Sequence, residues 1–190
     1  PKVWITQQGG FVVEAGLGQV ISEGFEYEYQ YVVLPSLDGE LDGPVEILVT
    51  DGRDNAGNPV SPAYRETQAF IVDSLAPVLF RRNIIPADGS VISSAPTPLR
   101  LVMREHPNTK GGETFGSGPD PASVTINGFG PIESQPNRII PGRLEIFGPR
   151  TVDFYPDPSI MDTDGTYLFQ VSMKDKVGNE FVESVVLSLD

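Results

Sequence analysis

Apolar and polar positions alternate with a period of two along most of this chain, the spacing that sends successive side chains to opposite faces of a β-strand. The clearest run is Phe25-Glu26-Tyr27-Glu28-Tyr29-Gln30-Tyr31, with its aromatics on one face and its polar side chains on the other. This predicts a half-buried strand with the aromatics turned inward, since a strand exposed on both faces would bury nothing. The sharper alternative is an exposed aromatic strip for sugar or protein binding. Similar runs predict strands over 2–6, 11–14, 19–21, 45–49 and 68–72. Further strands are expected over 78–80, 98–103, 122–126, 143–147, 151–155, 167–173 and 181–189. No stretch carries the periodicity of a long amphipathic helix; at most, 119–123 makes one helical turn.

One short motif occurs twice between such strands. Asp54-Asn55-Ala56-Gly57-Asn58 recurs as Asp175-Lys176-Val177-Gly178-Asn179. Each copy follows an Asp-Gly pair and a β-rich run, and each precedes a strand that ends in aspartate, Asp73 or Asp190. Asp suits the first position of a type I turn, because its carboxylate can accept a backbone N–H two residues on. Gly three positions later supplies a left-handed residue, so the motif encodes a hairpin connection. The competing reading is that these aspartates bind calcium. The first copy has one extra residue before its turn, which Asp51-Gly52 can absorb as a β-bulge. Asn127-Gly128 is a second hairpin signal.

The repeat predicts two domains, a shorter one over 1–74 and a larger one over 75–190. Asp73-Ser74-Leu75-Ala76-Pro77 is the expected boundary, short and proline-bearing and therefore stiff. Residues 108–121, rich in glycine, read as a long polar loop.

Composition narrows the partners. The formal net charge is −13 and no cysteine is present. Such a chain repels nucleic acid and anionic membrane and attracts cations. Disulfides and thiolate metal sites are excluded. Gly and Pro, at 20 and 18 residues, suit short strands joined by many turns. No apolar run is long enough to span a membrane. The chain begins at Pro1 rather than Met, which reads as an excised piece of a longer polypeptide.

Several features together resemble a known family. In order they are Ala76-Pro77, Pro86-x-Asp88-Gly89-Ser90, Gly116-Ser117-Gly118-x-Asp120-Pro121-Ala122-Ser123-Val124, Asn127-Gly128, Asp164-Gly165-Thr166-Tyr167 and Asp175-x-x-Gly178-Asn179. The chain resembles the tandem bacterial immunoglobulin-like (Big-type) domains of surface and secreted proteins. The resemblance covers nearly all of 74–190 and, in the first unit, 42–77; residues 1–41 and 130–160 depart from the pattern. It implies an all-β fold of two immunoglobulin-like sandwiches with Greek-key connections. It also implies an extracellular or cell-surface location, neighbouring domains of the same kind as partners, and work as spacers, stalks, adhesins or accessory domains of extracellular enzymes.

The residues point away from catalysis. A single histidine, His106, lies between Glu105 and Pro107, so zinc, Ser-His and Cys-His chemistry lack their parts. Gly111-Gly112 follows Lys110 instead of preceding it, which is the wrong order for a phosphate-binding loop. Paired carboxylates could hydrolyse glycosides, yet abundant surface Asp and Glu need no such role. Calcium is the strongest chemical candidate, because it favours hard oxygen ligands. The candidate ligands are Asp54, Asp73 and Asp175, with Asp51 and Asp190 beside them, although their spacing is not that of an EF-hand. The resulting expectation is a non-enzymatic rigid spacer or adhesive module of a larger surface or secreted protein. The alternative is a carbohydrate- or protein-binding accessory module using aromatics such as Trp4 or Tyr64, or the 108–121 loop.

Overall fold

The computed structural model describes residues 1–22, 26–34, 38–107 and 116–190. The chain is almost entirely β and divides into two compact units. One is Pro1–Leu75 with Pro107–Gly116; the other is Ala76–His106 with Ser117–Asp190. Phe25 and most of the expected 108–121 loop lie outside the described residues.

The first unit contains β1 (Lys2–Gln7), β2 (Phe11–Glu14), β3 (Gly16–Ser22), β4 (Glu26–Gln30), β5 (Gly43–Thr50) and β6 (Tyr64–Val72). Four of these form one antiparallel sheet in the order β2-β1-β5-β6, and β3 pairs with β4 as a separate ribbon. Alternation in β1 buries Val3 and Ile5, which meet Ala15, Val45 and Val72 in a small core. Tyr29, Tyr31 and Phe70 pack against it. The buried amide of Gln7 is satisfied there: its Nε2 donates to the Leu34 carbonyl at 3.3 Å, and the Tyr31 hydroxyl donates to its Oε1. Burial pushes the Tyr31 phenol above its ordinary pKa. Asp42, fully buried, accepts from the Ser74 backbone N–H at 3.1 Å and its hydroxyl at 2.6 Å, tying down the chain just after β6.

The alternating aromatic strand is only partly inward. Tyr29 and Tyr31 reach the core, but Tyr27 is exposed. Among the described residues β4 pairs only with β3, and the small core packs against Tyr29 and Tyr31 but not Tyr27. The expected bulge also takes a different form. Asp51, not Gly52, adopts the left-handed conformation at φ +56°, which Asp tolerates better than most residues. β5 stops at Thr50, and the turn motif stands beyond it on a short extension in which Arg53 bridges Pro59.

The second unit contains β7 (Val78–Leu79), β8 (Ser90–Ile92), β9 (Leu99–Arg104), β10 (Pro119–Phe129), β11 (Ile139–Ile140), β12 (Gly142–Ile146), β13 (Thr151–Pro156), β14 (Gly165–Asp175) and β15 (Glu180–Leu189). They form a five-stranded sheet, β11-β10-β14-β15-β8, and a four-stranded sheet, β12-β13-β9-β7. The chain crosses between the sheets repeatedly, so β10 with β14, β15 with β8, β13 with β9 and β9 with β7 are neighbours in space that are not consecutive in sequence. All pairings are antiparallel except β15 with β8, which is parallel. Tyr167, Phe169, Val171 and Met173 of β14 are completely buried against Leu99, Leu101, Met103, Val152 and Phe154 of the other sheet. Phe154 and Phe169 meet edge to face, with ring centroids 6.0 Å apart, the arrangement that aromatic quadrupoles favour.

Two local expectations fail here. Asn127-Gly128 makes no hairpin; both residues lie inside β10, opposite Gln170 and Phe169 of β14. Glycine is needed for close approach, since a Cβ on Gly128 would sit 2.9 Å from the Ile140 Cβ and 3.1 Å from the Phe169 ring. Residues 119–123 are strand with an irregular register between Asp120 and Thr125, not a helical turn. The Ser123 hydroxyl donates to the Asp120 carbonyl at 2.7 Å across that irregularity.

This packing sets two expectations. Phe169→Ala should cost about 3–5 kcal/mol, because it removes an aromatic ring from a core that cannot collapse around it. Gly128→Ala should cost roughly 1–3 kcal/mol through overpacking. Urea unfolding midpoints measure both, and a wild-type midpoint for either variant would contradict the packing described.

Candidate functional site

The two aspartate motifs fold alike. In each, the backbone N–H of the Asp donates to the Asn carbonyl and the Gly N–H donates back to the Asp carbonyl. Gly57 and Gly178 supply the left-handed residue at φ +86° and +100°. Asp54 Oδ1 accepts from the N–H groups of Ala56 and Asn58 at 2.9 and 2.8 Å, and Oδ2 accepts from Asn58 Nδ2 at 2.9 Å. Asp175 does the same with Val177, Gly178 and Asn179 at 2.7–2.9 Å, and with Asn179 Nδ2 at 2.7 Å. The Asn58 side chain, followed by the turn N–H groups, holds the Asp54 carboxyl below its ordinary pKa.

Their settings differ. Asp175 is buried and joins β14 directly to β15, whereas Asp54 is exposed. Both oxygens of each carboxylate already face donors of their own turn, so the geometry gives these groups the turn-forming role. Asp73 is half-buried just beyond β6. Among the described residues, no three His, Asp or Glu side chains gather as a metal-holding group. Asp54, Asp73 and Asp175 therefore have no such cluster around them.

Other acidic groups are likewise committed. Glu133 accepts from the Thr166 N–H at 2.9 Å and Asp157 from the Ser159 hydroxyl at 2.7 Å, and hydrogen bonding from those residues lowers both carboxyls below their ordinary pKa. Buried Asp153 takes a two-pronged contact from Arg100 at 2.8 and 2.7 Å, and Arg100 also lies over the Phe147 ring. Donors lower the Glu133 and Asp157 carboxyls, opposite in sense to a general acid, whose pKa must be raised.

The concave surfaces of the two units are chemically distinct. In the first, Pro1, Tyr27, Val49, Gly52, Arg53, Val60 and Tyr64 line a cleft of about 210 Å³. Tyr64 is 59% exposed. Tyr27 joins it because β4 leaves that end uncovered, and Arg53 and Val60 arrive on the extension bearing the first turn motif. In this extension Val60 N–H donates to the Gly52 carbonyl at 2.7 Å and Arg53 Nη1 to the Gly57 carbonyl at 2.8 Å. Trp4, the other named aromatic, is half-buried and donates its indole N–H to Thr50 Oγ1 at 3.3 Å. In the second unit, Leu79, Phe80, Arg81, Arg82 and Arg104 line a cleft of about 400 Å³. No sequence signal marked it, because its arginines come from separate elements.

No family model and no curated protein matches the chain. Among solved structures, CopC from Methylosinus trichosporium OB3b is 14% identical, with a TM-score of 0.44, over 60% of this chain and 93% of that one. PcoC, a methionine-rich copper resistance protein from Escherichia coli, is 14% identical, with a TM-score of 0.42, over 61% of this chain and all of that one. The expectation of a spacer or adhesive module, with an accessory sugar- or protein-binding module behind it, is corrected at this point: the similar structures are CopC and a copper resistance protein. Met103, Met161 and Met173 are buried in the core of the second unit.

Turn formation by the aspartates is testable. Asp175→Ala should cost roughly 2–3 kcal/mol by leaving buried N–H groups unpaired, and exposed Asp54→Ala should cost less. Because the folded Asp54, Glu133 and Asp157 carboxyls sit below their unfolded pKa values, they stabilise the fold at neutral pH. That stability is lost as pH falls below about 4. Urea titrations near neutral pH and at about pH 3 should show the loss, diminished in Asp54→Asn. Thermal melts in calcium and in excess chelator should coincide; a site filled a hundredfold over its Kd would separate them by about 2.7 kcal/mol.

Proposed function

We propose that the chain is a non-catalytic binding protein whose first unit takes a small, flat, apolar ligand bearing an acidic group. The cleft between Tyr27 and Tyr64 carries this reading. It places two phenol rings, the side chains of Val49 and Val60, and one guanidinium around a volume of about 210 Å³. Rigid aromatic walls with one charged group are the usual composition of a small-molecule site, in which apolar area supplies affinity and the polar group sets orientation. Arg53 is the orienting group. The Gly57 carbonyl fixes one arm of its guanidinium, and a carboxylate is the ligand group matched to that fork.

Non-catalytic action is supported by the lowered pKa of the Asp54, Glu133 and Asp157 carboxyls, a direction that suits turn formers rather than general acids. An extracellular or cell-surface setting, and membership of the Big-type group of sandwiches, are supported by the run of motifs from Ala76-Pro77 to Asp175-x-x-Gly178-Asn179 and belong to the same reading.

The test is titration with indole-3-carboxylate followed by amide and tyrosine-ring NMR shifts. Saturable shifts confined to Tyr27, Arg53, Val60 and Tyr64 are expected, and Tyr64→Ala should weaken binding roughly tenfold with an unchanged melting temperature. Shifts that never saturate, or a Tyr64→Ala protein that binds as wild type does, would remove the cleft from consideration.

A further inference from the structure

Acidic residues outnumber lysines and arginines by two to one in this chain, 26 to 13. Against that background, three arginines and one phenylalanine converge on a single cleft of the second unit. Their placement follows from the backbone. β7 pairs with β9 so that Val78 lies opposite Arg104 and Leu79 opposite Met103. The chain then turns at once into a single 3₁₀ turn, Arg81–Asn83, closed by Asn83 N–H to the Phe80 carbonyl at 2.9 Å and Ile84 N–H to the Arg81 carbonyl at 3.3 Å. The turn carries Arg81 and Arg82 to the rim of the cleft that Arg104 enters from the end of β9.

The three guanidinium groups are not equivalent. Arg81 is fully engaged: it pairs with Asp88, with Glu183 at 2.7 Å and with the Ser184 carbonyl at 3.5 Å. Arg82 is exposed and forms no ion pair among the described residues. Arg104 lies over the Phe80 ring, its guanidinium carbon 4.8 Å from the centroid. Its Nε is buried and has no hydrogen-bond partner among the described residues. A buried, charged donor without an acceptor is costly, and stacking on an aromatic face does not give that N–H an acceptor.

We propose that this cleft is an oxyanion site, taking a phosphate-type group through Arg104 and Arg82. A tetrahedral oxyanion can accept from the Arg104 Nε–H and one terminal N–H together, the two-pronged geometry for which guanidinium is suited. Arg82 supplies the second charge from the rim. Arg81 is a positioning residue: Asp88 and Glu183 neutralise it and hold the 3₁₀ turn against β15. Phe80 closes one wall and lowers the local dielectric, which strengthens the charge-assisted hydrogen bonds. The same chemistry would accept a free ion or the terminal group of a phosphomonoester.

The intact chain, labelled for observation of arginine Nε–H resonances, is titrated with inorganic phosphate and separately with phenyl phosphate at constant ionic strength. A saturable shift of the Arg104 Nε–H is expected. Tighter binding of phenyl phosphate would identify an ester, and equal or tighter binding of phosphate a free ion. Arg82→Gln, at an exposed position, should weaken binding roughly tenfold, the loss of one charge-assisted contact. Arg143→Gln, which removes an arginine stacked on Tyr155 elsewhere in the unit, should leave binding unchanged. No saturable shift with either probe, or equal weakening by Arg82→Gln and Arg143→Gln, would overturn the proposal and leave Arg104 as a stacking residue of the Phe80 wall.

Discussion

The second unit depends on the inward face of β14. Tyr167, Phe169, Val171 and Met173 alternate along it, are completely buried, and meet the opposing sheet at the Phe154–Phe169 contact. Strand neighbours on both sides fix the register of this face, β10 and β15, so a one-residue slip would expose all four side chains. The glycines beside it answer the same constraint. Gly128 lets β10 and β11 close over the Phe169 ring, and Gly142 lies where a Cβ would collide with Phe154. The Tyr167 hydroxyl, at the end of the row, donates to the Thr163 carbonyl at 2.6 Å, so even the polar atom of this face is satisfied.

The first unit has less apolar material and uses polar anchors instead. Among the described residues, its core holds five buried apolar side chains. The Gln7–Tyr31–Leu34 contacts and the Asp42–Ser74 contacts secure segments that the small core does not reach. Incomplete cover leaves Tyr27 and Tyr64 in contact with solvent, and this same incompleteness creates the cleft. The cleft of the first unit is thus bordered by a ribbon, β3 and β4, that among the described residues pairs with no strand of the four-stranded sheet.

Charge is distributed with a similar division. Carboxylates such as Asp54, Asp175, Glu133 and Asp157 are consumed by the backbone and side-chain donors of their own turns, which explains why an acidic sequence need not be a metal-binding one. Arginines are consumed more selectively. Arg100 neutralises buried Asp153, Arg143 stacks on Tyr155, and Arg81 is held by Asp88 and Glu183. Arg104 differs from these in having a buried donor with no acceptor among the described residues, and that contrast, more than the number of arginines, distinguishes the second cleft from the rest of the surface.

Local chemistry was legible in the sequence wherever it closed within a few residues. Period-two alternation located most strands, because each side chain's face depends only on its own backbone. The Asp-x-x-Gly-Asn turns were legible for the same reason, since donor, acceptor and left-handed glycine lie within five positions. Only the tertiary structure decided what depends on distant chain segments. Asn127-Gly128 became strand interior because β14 pairs across it. Asp51 rather than Gly52 turned left-handed, just beyond the end of β5. Tyr27 stayed exposed at a cleft that only the folded unit assembles. Neither cleft could be read in advance: Tyr27 meets Arg53 and Tyr64, and Arg82 meets Arg104, only after strand pairing has closed loops whose ends carry no local mark of one another.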